Sequence, residues 1–225
     1  MPPEVVGAVD VVAAEVELAR RAPALSPLIE RWGPCTLASR RGAASGHFEA
    51  LASGIVHQQL AGRAAAAIWS RVLALAPEGL VADRVVVLEP QALRAAGLSG
   101  AKAAALGDLA ARVASGRLDL DEVAALPDEE VITRLAEVRG IGRWTAQMFL
   151  MFRLGRLDVW PTGDLGVRRG YGVLHRSEEV PSPAVLEALG DVYRPWRSIV
   201  AWYCWRALDP VPPGPVSLPD LPTGR

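Results

Sequence analysis

Lysine is almost missing from this chain of 225 residues: Lys102 stands alone, and the other cationic side chains are arginines. A lysine nucleophile therefore has a single possible source. Cysteine is nearly as scarce, with Cys35 and Cys204 far apart and no CxxC, which excludes a four-thiolate zinc or iron–sulfur site. Both are expected as reduced core residues. His47, His57 and His175 show no metal-ligand spacing; we expect His57 as a polar helix residue and the other two at the surface. No apolar run approaches the ~20 residues of a membrane span. Glu4, Asp10, Glu15 and Glu17 interrupt the N-terminal apolar stretch before it forms a secretory signal, so the expected location is cytoplasmic. Nor is one sign of charge in excess. Lys plus Arg number 24 and Asp plus Glu 25, a net charge of -1, which excludes a uniformly basic nucleic-acid coat. Charge is concentrated instead: from Arg134 to Arg176 eight arginines face only Glu137, Asp158 and Asp164, a local excess that the rest of the chain offsets. A neutral protein with one such segment still holds a polyanion there, because screening limits each phosphate to the field within about 10 Å.

What is abundant is apolar and helix-forming. Hydrophobic residues make up 51% of the chain, enough for one or two packed domains. Ala, Leu, Arg and Glu dominate residues 10 to 208, with apolar positions recurring at three and four, so an all-α fold is expected. Residues 47–76 read as one long buried helix or two joined near Gly62. Ser99 caps a helix that Gly116 stops; Pro127 and Asp128 open another that Gly140 stops; a third begins at once and ends at Gly155. Ser182 and Pro195 each precede a further helix. The division expected is an N-terminal helical segment over 1–45, a main domain over 46–208 and an extended Pro-rich tail over 209–225.

The informative segment is AEVRGIGRWTAQMFLMFRLGRLDVWPTGD, residues 136–164. Two helices joined by VRGIG make a helix–hairpin–helix, in which Gly140 and Gly142 are able to take positive φ and let another backbone come very close. The unpaired amides of Gly142, Arg143 and Trp144 at the start of the second helix offer a phosphate site, and Arg143 adds charge. A GxG alone reads more readily as an ordinary turn between two helices with a Gly C-cap; the following twenty residues change that balance.

The combination resembles the helix–hairpin–helix DNA glycosylases that have a Gly/Pro-rich loop and a catalytic Asp. RGIGRWTAQMF is similar to that superfamily's hairpin and second helix, WPTGDLG to its loop, IVHQQLAGRAAAAIWSRV to its upstream helix and PWRSIVAWYCW to its last helix, over about residues 45–208. Within it the chain looks most like the 3-methyladenine DNA glycosylase II, alkylation-repair branch, without the N-terminal sheet domain of larger members. The fold so implied is two helical subdomains flanking an active-site cleft, with the hairpin at about 129–154 and the catalytic loop at 158–166.

The resemblance implies particular residues. Breaking an N-glycosidic bond places positive charge on the sugar, which a fixed carboxylate in a dry pocket stabilises; Asp164 has that role, although a lone Asp here also reads as a helix N-cap. Lyase branches carry a Lys where this chain has Trp144, so a monofunctional enzyme is expected. Gln58, Gln59 and Leu60 match the segment that fills the space left by a flipped base, with Gln59 or Leu60 as the wedge. Trp144, Met148, Trp196 and Leu165 are the candidate base pocket, suited to cationic alkylated purines; Trp202 and Trp205 read as core. Gly140, Gly142, Arg143, Thr145 and Arg168 are candidate DNA contacts, with Arg169 beside them. No cofactor is expected beyond a structural cation on the carbonyls of Val138 and Ile141. The partner expected is damaged double-stranded DNA, met by a monomer at a bacterial nucleoid. The alternatives are a glycosylase for uracil, hypoxanthine or another base, and a non-enzymatic DNA-binding module, which needs the hairpin but not the acid.

Overall fold

The computed structural model describes residues 11–37, 46–58, 60 and 62–210. Thirteen α-helices and no strand are found among them. They fall into two groups joined through a shared apolar core.

The first group is continuous in sequence: α3 (His47–His57), α4 (Gly62–Ala74), α5 (Ala82–Val86), α6 (Pro90–Ala95), α7 (Gly100–Ala114), α8 (Leu120–Ala124), α9 (Asp128–Ala136) and α10 (Arg143–Met148). Its centre is α7, whose buried face alternates small and large residues: Ala103, Ala105, Leu106, Leu109 and Ala110. The alanines allow close approach and the leucines fill the space between helices. Ser99 starts α7 by accepting the amide of Lys102 at 3.3 Å, and Gly116, at φ 70°, ends it. Residues 47–76 form two helices broken after His57, not one. The sole lysine explains how that break is held: Lys102 Nζ donates to the carbonyls of Val56 at 2.8 Å and Gln58 at 2.6 Å, satisfying the open end of α3. The short helices α5, α6 and α8 gave no sequence signal, because five or six residues are less than two turns of periodicity.

The second group is discontinuous. α1 (Val11–Arg21) and α2 (Ser26–Trp32) pack with α11 (Leu165–Leu174), α12 (Pro183–Leu189) and α13 (Arg197–Ala207). Glu15, only 3% exposed, makes this join: its Oε1 accepts the Cys35 amide at 2.6 Å and the Tyr203 hydroxyl at 2.7 Å. Residues 11–37 are thus tied to the C-terminal helices. The tail begins in contact with the same group, Arg31 Nη2 donating to the Pro210 carbonyl at 2.8 Å; residues 211–225 lie outside the described residues.

Between the groups α10 continues as a wider turn over Phe149–Arg153, with the Leu154 amide reaching the Phe149 carbonyl five residues back at 3.0 Å. Gly155 follows at φ 66°. The loop after it is fastened to α13: Ser198 Oγ donates to the Arg156 carbonyl at 2.8 Å and accepts the Val159 amide at 2.9 Å. Arg197 Nε holds Asp158 Oδ1 at 2.7 Å, and Trp160 Nε1 donates to the Leu186 carbonyl at 2.8 Å. This loop delivers Asp164.

Candidate active site

Asp164 is the N-cap of α11 and also accepts hydrogen bonds from two distant indoles. As the N-cap of α11 its Oδ1 accepts the Val167 amide at 2.8 Å. The same oxygen accepts Trp205 Nε1 at 3.1 Å, and Oδ2 accepts Trp144 Nε1 at 2.6 Å. Trp144 reaches it from the second hairpin helix and Trp205 from the last helix, so three elements distant in sequence converge on one side chain. Trp205, expected in the core, is half-buried beside the acid; only the packing of α13 along α11 brings it there.

The hairpin is built as a rigid turn. Gly140 has φ 76°, and a Cβ on it would lie 2.9 Å from Ala105 Cβ, so the turn backs directly onto α7. Asp108 of α7 accepts the Arg139 amide at 2.8 Å, which draws its carboxyl below the usual range. Gln58 Nε2 donates to the Gly140 carbonyl at 3.0 Å and to Thr145 Oγ1 at 2.9 Å. Gly142 differs from expectation: it is an N-cap at φ -98°, in a conformation open to any residue, and a Cβ there would meet nothing within 4 Å. Its value is the open space in front of it. The amides of Gly142, Arg143 and Trp144 find no acceptor among the described residues, the arrangement that binds an anion.

The other predicted contacts are placed unequally. Arg143 is exposed and paired with Glu129 at 2.5 Å, so a phosphate must compete with that carboxylate. Thr145 is 5% exposed and its side chain faces Gln58 and Gly54, which leaves it inside the protein. Arg168 Nε donates to the Pro181 carbonyl at 2.7 Å, whereas Arg169 is exposed on the same helix. Arg63 and Arg139 are also exposed, beside Leu60 and within the hairpin, and sequence reasoning passed over both. Leu60 is 38% exposed; Gln59 lies outside the described residues. The Val138 and Ile141 carbonyls are hard oxygen donors suited to an alkali cation, and that of Val138 also accepts the Ile141 amide at 3.0 Å. Among the described residues no three His, Cys, Asp or Glu side chains are arranged around a metal.

A cavity of about 720 Å³ lies one residue away from the acid, on the far side of Trp205. Met148, Phe149 and Phe152 form one wall, and Ser53, His57 and Trp69 the other. Phe152 stacks on Trp205 with ring centroids 5.9 Å apart, linking the wall to Asp164. Leu165, 49% exposed, follows the acid directly. Trp196 is elsewhere: it precedes α13, roughly 13 Å along the axis from Trp205 at 1.5 Å per residue, and lies under the Arg21 guanidinium at 5.1 Å. It belongs to the packing of α1 and not to the cavity. Phe152 and Trp69 were missed because each also fits a helical core stripe. His47 departs from its expected surface place, being partly buried against Arg153 at 3.1 Å, and burial lowers its pKa.

Four similarities to known proteins bear on this geometry. The family model described as HhH-GPD superfamily base excision DNA repair protein matches residues 52–195. The DNA-3-methyladenine glycosylase 1 of Schizosaccharomyces pombe is 35% identical over 162 residues, covering 71% of each chain. A solved structure of the Schizosaccharomyces pombe 3-methyladenine DNA glycosylase in complex with abasic DNA superimposes with a TM-score of 0.76 at 31% identity, covering 86% of this chain and 95% of that one. The Bacillus halodurans DNA-3-methyladenine glycosidase superimposes with a TM-score of 0.71 at 33% identity, covering 86% and 88%. No helix among the described residues is long and apolar enough to cross a membrane.

Proposed function

Because the chain belongs to the HhH-GPD superfamily of base excision DNA repair proteins, we propose that it is a monofunctional DNA glycosylase that releases alkylated bases of the 3-methyladenine and 7-methylguanine type from duplex DNA. The observation that carries this reading is the carboxylate of Asp164 fixed between the hairpin's Trp144 and Trp205, whose ring stacks on Phe152 in the wall of the aromatic cavity.

The free amides after Ile141 seat a phosphate, with exposed Arg139, Arg63 and Arg169 adding positive field. A cation held by the Val138 and Ile141 carbonyls would strengthen the same contact. Flipping a damaged nucleotide costs a few kcal/mol, reduced where the lesion has weakened pairing. Leu60 or Gln59 fills the vacated stack. Aromatic faces attract a cationic ring. The C1′–N bond then breaks, its electron pair leaves with the base, and an alkylated cationic purine departs neutral without a general acid. Asp164 stabilises the charge that develops on the sugar, water adds to C1′ and loses its proton to solvent, and an abasic site remains. A strand-cleaving step lacks a nucleophile, since Trp144 occupies the position where lyases carry Lys and Lys102 is engaged with two carbonyls. The enzyme acts as a monomer, in the cytoplasm at the nucleoid.

Incubation with methylated duplex DNA followed by identification of the free bases tests this. Asp164→Asn is expected to lower base release by at least ~10²-fold, as expected for loss of a preorganised electrostatic group, while DNA binding persists. Binding without release of any base by the unaltered protein would identify a DNA-binding module instead.

A further inference from the structure

We propose that the two oxygens of Asp164 have separate tasks: Oδ1 is fixed by Trp205, a positioning residue, while Oδ2 faces the reacting sugar and is capped in the free protein by the removable indole of Trp144. This rests on the glycosylase reading.

The two indoles differ in how firmly they are held. Trp205 stacks on Phe152 and presses on Gly166, where a Cβ would lie 2.9 Å from Trp205 Cδ1 and 3.0 Å from Asp164 Oδ1. Its helix is locked against α11 by the close passage of Gly170 over the Cys204 backbone. Oδ1 therefore has two immobile donors, the Trp205 indole and the Val167 amide. Among the described residues only Trp144 holds Oδ2. That side chain is 40% exposed and opens the helix whose first amides are free. A nucleotide backbone seated at those amides meets Trp144 first. Turning the indole aside uncovers an oxygen whose partner remains locked, so the carboxylate gains an unshared lone pair without losing its orientation.

Trp205→Phe retains a ring on Phe152 and removes the N–H. Single-turnover base release from methylated duplex should fall about tenfold or more, in proportion to a lost orienting contact, with unchanged affinity for abasic-site DNA and unchanged melting. A merely structural role would move affinity or melting instead. Gly166→Ala provides a second route to the same rate loss, since its Cβ crowds the Trp205–Oδ1 contact from both sides, against the indole and against the carboxylate. Independently of activity, the indole N–H signals of Trp144 and Trp205, assigned by NMR through their Phe variants, should both move in Asp164→Asn. On addition of abasic-site DNA the Trp144 signal should leave its carboxylate-bonded position while that of Trp205 stays. Wild-type release rates in both Trp205→Phe and Gly166→Ala would overturn the positioning role, and a Trp144 signal unmoved by DNA would overturn the cap. If the unaltered protein releases no base, the glycosylase reading fails, and the indole signals still decide whether the clamp exists.

Discussion

Gly107 and Gly170 are both helical glycines, yet their surroundings assign them opposite sensitivities. A Cβ on Gly170 would lie 1.8 Å from the Cys204 carbonyl oxygen, a backbone atom with no freedom to move aside. Gly170→Ala should therefore force α11 and α13 apart and cost about 3 kcal/mol or more, the upper end for overpacking. Thermal unfolding should show a drop of several degrees. Gly107, within α7, has nothing within 4 Å of its added Cβ, so Gly107→Ala should raise stability by about 0.5–1 kcal/mol through helix propensity alone. The sequence shows glycine at both places; the difference lies in what packs opposite.

At the scale of the element, the hairpin separates folding from binding within three residues. Gly142→Val adds a side chain in open space at an ordinary φ. Melting should stay within about 0.5 kcal/mol of the parent, while affinity for duplex DNA of any sequence falls and its salt dependence lessens. Gly140→Val instead combines positive φ with contact to Ala105, and should lower melting as well. Equilibrium binding at several salt concentrations beside thermal unfolding separates the two. Asp108 adds a pH dependence of definite sign. Its folded pKa is lowered, first by the Arg139 amide it accepts and then by Arg112, so its stabilising effect is complete at neutral pH. That effect disappears as pH falls from the unfolded value near 3.9 through the lower folded one. Urea unfolding should show wild type more stable than Asp108→Ala at pH 7, with the gap closing in acid.

For the whole molecule, the scarcity of lysine becomes a chemical prediction. Schiff-base trapping needs an amine, and the single lysine is fixed as the cap of α3, with burial lowering its pKa. Borohydride reduction during base release should yield no covalent protein–DNA adduct, and strands should break only after heat or alkali opens the abasic product. An adduct that survives Lys102→Ala would assign the chemistry to another amine. The joining of distant segments is likewise a property of the whole: α1 and α2 complete the C-terminal group through Glu15 and Tyr203, 188 residues apart in the chain.

The helical class, the caps at Ser99 and Ser182, the hairpin and Asp164 could all be read from the sequence, because periodicity, capping residues and a local motif lie within about twenty neighbouring positions. The break of α3 near Gly62 stood as one of two readings, and the Lys102 contacts that hold it open are tertiary. Long-range packing likewise decided the partners of the acid. Trp205 lies in α13 and Trp196 at its N-cap, nine residues apart with similar local sequence, and only the seating of α13 on α11 sends one to Asp164 and the other to Arg21. Thr145 and Gly142 divide in the same way, one turned inward to Gln58 and the other outward to open space. A sequence specifies which face of a helix is apolar; which neighbour that face meets depends on contacts across the chain, and those contacts place the carboxylate, its indoles and the aromatic cavity together.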